Sequence, residues 1–324
     1  MPSIKEIQQL ITPELKALNE LIASTLDSPN ELMNRIVDNY LRTKGKQIRP
    51  ILVILSAKLL GEVNENVIRA AAAVELLHNA SLIHDDVVDE TKIRRNTPTI
   101  NGIWDNHIAV LVGDFFVSSS LQLAMMTGDI RIINAIARLG KLLSIGELDQ
   151  IYCARFHNLT EPAYMQTIER KTASLFMACV EMGGYAVGAS DADIAAISEF
   201  ARLLGLCFQI KDDIFDYYED KNIGKPTGND LREGKITLPL LHVLETDTSA
   251  LRPAMLQLSQ QEELSTDDIN RLIEYAKANG GIDYAYATME SLKAQAAPIL
   301  DRFDNKAVTG YLADILDYTI HREV

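Results

Sequence analysis

Apolar residues recur along this chain at intervals of three and four, the period of an α-helix, and no stretch alternates apolar with polar for long enough to suggest a strand. One helix is predicted from about Val67 to Val88. Asn66 is a suitable N-cap there, because its side-chain oxygen can accept from a first-turn amide, and Val67, Ala71, Val74 and Leu77 would form the core-facing stripe. A second helix is predicted from about Ala195 to Tyr218. Pro50 falls where a helix would begin, a position at which the missing N–H has no intrahelical partner. Pro98, Pro162, Pro226 and Pro239 mark loops or further helix starts. Residues 219–235 are polar and rich in Gly, Lys and Asp, the pattern of a functional loop or lid. No low-complexity linker divides the chain, so the expectation is one all-α domain over residues 1–324, built as a helical bundle.

Composition narrows the function classes. The 324 residues are 47% hydrophobic, enough for one large core or two ordinary ones. A net charge of −14 argues against a nucleic-acid partner, since a phosphate backbone calls for excess Lys and Arg. The three cysteines, Cys153, Cys179 and Cys207, form no C-x-x-C pair, which speaks against zinc and for a reducing cytoplasm. Lys5, Glu6, Glu14 and Lys16 break up any secretory leader, and Asp114, Glu181 and Asp191 interrupt the apolar stretches. A soluble cytoplasmic protein is therefore expected, with peripheral membrane contact if its substrate or product is greasy.

One internal echo carries chemistry. Leu82-Ile-His-Asp-Asp-Val-Val-Asp89 resembles Gln209-Ile-Lys-Asp-Asp-Ile-Phe-Asp216. Each closes a predicted helix, and each is followed by basic residues: Lys92, Arg94 and Arg95, then Lys221 and Lys225. A single acidic run is usually a solvated face; two copies in apolar surroundings are not. Helical spacing puts Asp85 beside Asp89 and Asp212 beside Asp216. Like charges at that spacing repel, and the helix C-terminus is itself negative. Both costs call for a cation. Hard oxygen ligands select Mg²⁺ or Ca²⁺, and the absence of an EF-hand loop pattern favours Mg²⁺ carried with a polyphosphate. Lys46 and Arg49, three apart beside a helix start, add anion-binding groups, and His78 lies two turns before Asp85. The P-loop alternative fails, because Gly234-Lys235 lacks the earlier Gly and is followed by Ile236 rather than Ser or Thr.

At these residues the chain resembles the trans-polyprenyl diphosphate synthases. The match runs through Gly45-Lys46, Arg49-Pro50, Glu75 and His78. It continues through Arg94-Arg95, Pro98-Thr99, Gly113-Asp114, Gly146-Glu147 with Gln150, and Lys171-Thr172. It ends with Phe208-Gln209, Gly224-Lys225, Gly228, Asp230-Leu231, Glu233-Gly-Lys235 and Thr237-Leu-Pro239. The resemblance implies an all-α fold around a central cavity, Mg²⁺ dependence, a homodimer and two substrates, an allylic prenyl diphosphate and isopentenyl diphosphate. It implies that Lys46, Arg49, His78 and Arg95 bind isopentenyl diphosphate, and that Arg94, Lys171, Lys225 and Lys235 hold the allylic diphosphate. Asp85, Asp89 and Asp212 would be the main metal ligands, with Asp86, Asp213 and Asp216 as direct or supporting partners. Thr172 and Gln209 would lie beside the developing carbocation, with Lys171 completing the catalytic group. Three features depart from the commonest family pattern: Asn96, where Gly is common; Lys211, where an uncharged residue is common; and an acidic motif with two intervening residues rather than four, as in many bacterial medium- and long-chain enzymes.

The reaction implied is ionisation of the allylic C–O bond, attack by the isopentenyl alkene and loss of a proton to the departing diphosphate, in repeated head-to-tail additions. The product chain would run from Asp85 toward the N-terminus of its helix. Ala80 and Ser81 are small, so the path can continue past Leu77 toward Val74, about 16 Å away at the helical rise. This favours an all-trans product beyond C20, near octaprenyl (C40), a length suited to a quinone side chain. The alternatives are a short-chain (C15–C20) synthase, a terpene cyclase or a catalytically silent partner subunit. Intact aspartate motifs argue against the last, and the isopentenyl-binding set argues against a cyclase.

Overall fold

The computed structural model describes residues 4–41, 47–94, 97–156, 160–218, 227–261 and 263–322. Among them the chain is all-α apart from one two-stranded hairpin. Two compact units emerge. The first comprises Met1–Lys141, Leu175–Ala201 and Leu300–Ile315; the second comprises Leu142–Ser174, Arg202–Ile299 and Leu316–Val324.

In the first unit, helices α1 (Ile48–Leu60) and α2 (Glu65–Val88) are followed by strands β1 (Ile93–Arg94) and β2 (Thr97–Pro98) and by helix α3 (Asn106–Met126). Helix α2 begins at Glu65, and its cap is Asn64 rather than Asn66. The Asn64 side chain accepts from the amides of Asn66 and Val67, while the Asn66 amide group donates to the Thr127 carbonyl at 3.1 Å. The predicted stripe is buried, but so are Ala70, Ala72, Ala73 and Leu76, so α2 is enclosed on nearly every side. Four consecutive alanines explain this, because small side chains let neighbouring backbones close in. Ser120 of α3 reaches through that gap to donate to the Ala73 carbonyl at 2.6 Å. The outer face of α3 is different. Val110, Leu111, Val117, Leu121, Met125 and Met126 all stand exposed. Asp114 does not interrupt α3 enough to disqualify it: α3 is long and apolar enough to cross a membrane, with 44% of its apolar window buried.

The second unit contains the later part of helix α4 (Ile130–Phe156), helix α5 (Glu161–Ile168) and a π-helical turn, Glu169–Ala173. It also holds most of helix α6 (Asp191–Phe215), helix α7 (Leu238–Thr246) and the end of helix α8 (Lys306–His321). Helix α6 starts four residues before the expected Ala195 and stops three before Tyr218. Pro162 and Pro239 sit in the first turns of α5 and α7, as their missing amides require. Two glycines set the packing around the π turn. A Cβ on Gly146 of α4 would lie 2.8 Å from the Lys171 nitrogen, and one on Gly205 of α6 would lie 2.6 Å from the Ala173 Cα. Any larger residue at either position would drive backbone into backbone. Of the predicted loop at 219–235, residues 219–226, including Pro226 and Lys221, lie outside the described residues; Asn229–Arg232 forms a short helical turn.

Candidate active site

In the second unit the π turn carries Lys171 and Thr172. Such turns widen a helix by one residue and often serve functional sites. Here the insertion is held from both sides by the close approach of Gly146 and Gly205. Lys171 Nζ donates to Gln150 Oε1 at 2.7 Å and pairs with Glu147. Thr172 Oγ1 donates to Gln209 Oε1 at 2.6 Å, and Gln209 Nε2 donates to Asp213 Oδ1 at 2.7 Å. The Tyr164 hydroxyl completes the chain by donating to Asp213 Oδ2 at 2.6 Å. These four residues, with Lys171, Asp230 and Lys235, line a cavity of about 190 Å³.

Burial in this cavity penalises charge on its acidic groups. Burial pushes the Asp213 carboxyl well above the usual carboxylate range, and the nearby charges of Asp230 and Asp212 push the same way. Burial and the Asp213 charge likewise push the Tyr164 hydroxyl up. Lys235 is tied to the site by its own amide, which donates to the Asp230 carbonyl at 2.7 Å, while its Nζ contacts Glu233 at 2.5 Å.

The aspartates of this motif are held differently from one another. Asp213 has both oxygens engaged by Gln209 and Tyr164. Asp216 accepts the backbone amides of Asn229 at 3.1 Å and Asp230 at 2.9 Å, so it caps the short helical turn and fixes Asp230. Asp212 pairs with Arg322 and keeps its side chain 41% exposed. Lys211, the departure from the family pattern, is buried. Its Nζ donates to the Tyr286 hydroxyl at 2.8 Å and lies over the Phe215 and Tyr286 rings.

In the first unit, Asp85 and Asp86 occupy the last turn of α2, and Asp89 is its C-cap. Asp86 is buried and accepts from Arg94 Nε at 2.7 Å. Burial raises the Asp86 pKa and Arg94 works against that rise, with Asp89 adding to it. Asn101 donates to the Asp86 carbonyl at 2.8 Å, which ties the segment after the hairpin to the motif. Arg49 and His78 are half-buried in this unit. Leu77 and Ala80 are buried, and Ser81 is half-buried with its hydroxyl donating to the His78 carbonyl at 2.9 Å. That bond satisfies the Ser81 hydroxyl within its own helix. Lys46, Arg95, Asn96 and Lys225 lie outside the described residues.

The donor set suits a hard divalent cation. Among the described residues no three His, Cys, Asp or Glu side chains converge to hold a metal by themselves. Such a cation would complete its shell with water and phosphate oxygens. Sequence reasoning missed Tyr164, Gly205 and Arg322. A glycine within the apolar run of α6 was a signal of close backbone approach; the other two had none.

Comparison with known proteins agrees with this all-α fold. Residues 30–276 match the family model described as polyprenyl synthetase, and the chain belongs to that family. It is 33% identical to the octaprenyl diphosphate synthase of Haemophilus influenzae over 93% of this chain and 91% of that one. It is 32% identical to a short chain isoprenyl diphosphate synthase of Methanothermobacter thermautotrophicus, over 89% and 90% of the two chains. Its fold matches the crystal structure of a polyprenyl synthase from Caulobacter crescentus complexed with calcium and isoprenyl diphosphate. The TM-score is 0.92, with 29% identity over 99% of this chain and 98% of the other. The protein is a prenyltransferase acting on prenyl diphosphates, in a family that works with a divalent metal.

Proposed function

We propose that the chain, acting as one synthase domain over residues 1–324, extends an allylic prenyl diphosphate with isopentenyl diphosphate by repeated head-to-tail additions. The observation that carries this reading is the Tyr164–Asp213–Gln209–Thr172 chain beside Lys171. It sets oxygen dipoles next to the cationic Lys171 and Lys235 side chains in one cavity. Mg²⁺, when bound, supplies Lewis-acid neutralisation of the leaving diphosphate. Asp85 and Asp89 of the first unit and Asp212 of the second would offer it carboxylates, while Asp86, Asp213 and Asp216 would hold the helix ends that carry them. Arg94, Lys171, Lys225 and Lys235 bind the allylic diphosphate oxygens, and Lys46, Arg49, His78 and Arg95 bind isopentenyl diphosphate. Thr172 Oγ1 and Gln209 Oε1 face the developing carbocation, an arrangement fixed before reaction and so needing no reorganisation during it. The proton leaves with the diphosphate. Exclusion of water keeps the cation from being quenched.

The product is proposed to exceed C20 and to lie near C40. Small Ala80 and Ser81, with buried Leu77 beyond them, support a long path, as does similarity to an octaprenyl diphosphate synthase. The similarity to a short chain synthase favours a second reading, arrest at C15–C20. Incubating the purified chain with farnesyl diphosphate, labelled isopentenyl diphosphate and Mg²⁺, then separating the products by chromatography, decides between them. A product near C40 is expected. Arrest at C20 supports the second reading, and no lipid product at all overturns the proposed activity. The exposed apolar face of α3 supports a homodimer, with the protein cytoplasmic and touching membranes peripherally to release product.

A further inference from the structure

We infer that Arg322, at the end of the described chain, is a positioning residue for the metal-binding carboxylate of Asp212. Asp212 lies in the last turn of α6, where the helix dipole disfavours a carboxylate. The Arg322 guanidinium donates to Asp212 Oδ1 and reaches toward the Phe208 carbonyl at 3.5 Å. It lies over two rings of the same helix face, 4.6 Å from the Phe208 centroid and 5.1 Å from that of Phe215. The spacing of Phe208, Asp212 and Phe215 puts all three on one side of α6, so one planar cation engages ring, carboxylate and ring together. Arginine suits this better than lysine, because its flat fork stacks while it donates.

Arg322 is also anchored from behind. Leu316, Thr319 and Ile320 of α8 are buried, Lys293 holds Asp317 at 2.5 Å, and the Arg322 amide donates to the Tyr318 carbonyl at 2.8 Å. The guanidinium side chain is 14% exposed while that of Asp212 is 41% exposed. The carboxylate is therefore gripped from its protein side while part of its side chain remains exposed to solvent, where a metal would arrive. Such a grip fixes the carboxylate rotamer and offsets the dipole before the metal binds.

This inference rests on the proposed role of Asp212 as a ligand, and the test separates the two. Mn²⁺ is titrated into the full-length protein with inorganic pyrophosphate present, and bound metal is read by electron paramagnetic resonance. Prenyl transfer is followed in parallel as a function of Mg²⁺. Arg322→Gln is expected to raise the half-saturating Mn²⁺ concentration about tenfold, the lower end of what losing a contact to a metal ligand does to affinity. Arg322→Lys is expected to restore much of that loss, and circular dichroism should report native helix content for both variants. Unchanged Mn²⁺ binding in Arg322→Gln overturns the inference and leaves the prenyltransferase reading standing. Tighter binding overturns it too, because Arg322 would then compete with the metal. Loss of helix content in both variants assigns Arg322 a purely structural role, which also overturns it. No metal binding by the unmodified protein, with no prenyl transfer, refutes the functional reading and this inference with it.

Discussion

Gly205→Ala should cost the enzyme far more activity than stability. The added Cβ would sit 2.6 Å from the Ala173 Cα and 3.0 Å from its Cβ. The first contact must open by about 0.8 Å to reach ordinary packing at 3.4 Å, and the obstacle is backbone, which cannot swing aside. The π turn is pinned on its other face by Gly146, so the displacement passes into Lys171 and Thr172. Overpacking of this kind costs about 1–3 kcal/mol. Replacing a helical glycine returns about 1 kcal/mol of helix propensity. The net loss of stability is then about 0–2 kcal/mol. Catalysis has no such compensation, since a misplacement near 1 Å can cost about a hundredfold. Urea unfolding and single-turnover prenyl transfer measure the two effects. Gly140→Ala is the control, because a Cβ there meets nothing within 4 Å; it should gain about 0.5–1 kcal/mol without change in turnover. If Gly205→Ala stabilises like the control and turns over normally, the proposed clamp on the π turn is wrong.

Tyr164→Phe removes the hydroxyl that donates to Asp213 and should destabilise the protein by about 1–3 kcal/mol, with a drop in turnover; an unchanged urea midpoint and rate would show that the hydroxyl holds nothing. Ala80→Phe puts an aromatic ring at a buried position on the proposed product path and should shorten the product, read by chromatography; an unchanged chain length would remove Ala80 from that path. Arg131 hydrogen bonds hold the Asp129 carboxyl below the usual carboxylate range. The stability this adds is fully present above the ordinary carboxylate pKa, near 4, and is lost as pH falls through the depressed value. Asp129→Asn should therefore flatten the loss of stability between pH 5 and pH 2, within about the range that linkage describes, and an acid profile identical to the parent would contradict the pairing.

Much of the helical fold could be read in the sequence because α-helical periodicity is a local signal. Helix α2 was located from its apolar spacing, and the error was confined to its first turn. There two asparagines two residues apart compete for the cap, and Asn64 takes it because Asn66 is drawn to the Thr127 carbonyl. The degree of enclosure of α2 could not be read. Periodicity identifies one apolar face, whereas the alanine run from Ala70 to Ala73 allows close approach from the others. Tyr164 and Arg322 were illegible for a different reason. Tyr164 reaches Asp213 from 49 residues away and Arg322 reaches Asp212 from 110 away, so nothing near either residue announces the contact.

The aspartate motifs show most clearly what tertiary structure adds. In sequence the two are near copies, and only the family resemblance ranks Asp85, Asp89 and Asp212 above the other three carboxylates. Hydrogen bonding separates them by chemistry. A carboxylate whose two oxygens already accept strong donors gains little from a metal and would lose those bonds to bind one. Asp213, held by Gln209 and Tyr164, and Asp216, held by two backbone amides, meet that description. Both act on other groups instead: Asp213 orients Gln209 beside Thr172, and Asp216 fixes Asp230. Asp212 differs because one of its oxygens meets Arg322 while its side chain stays 41% exposed. On the proposed reading, the motif combines one carboxylate offered to the metal with two that hold the surrounding frame, which gives a physical reason for three acids where one ligand would seem to suffice.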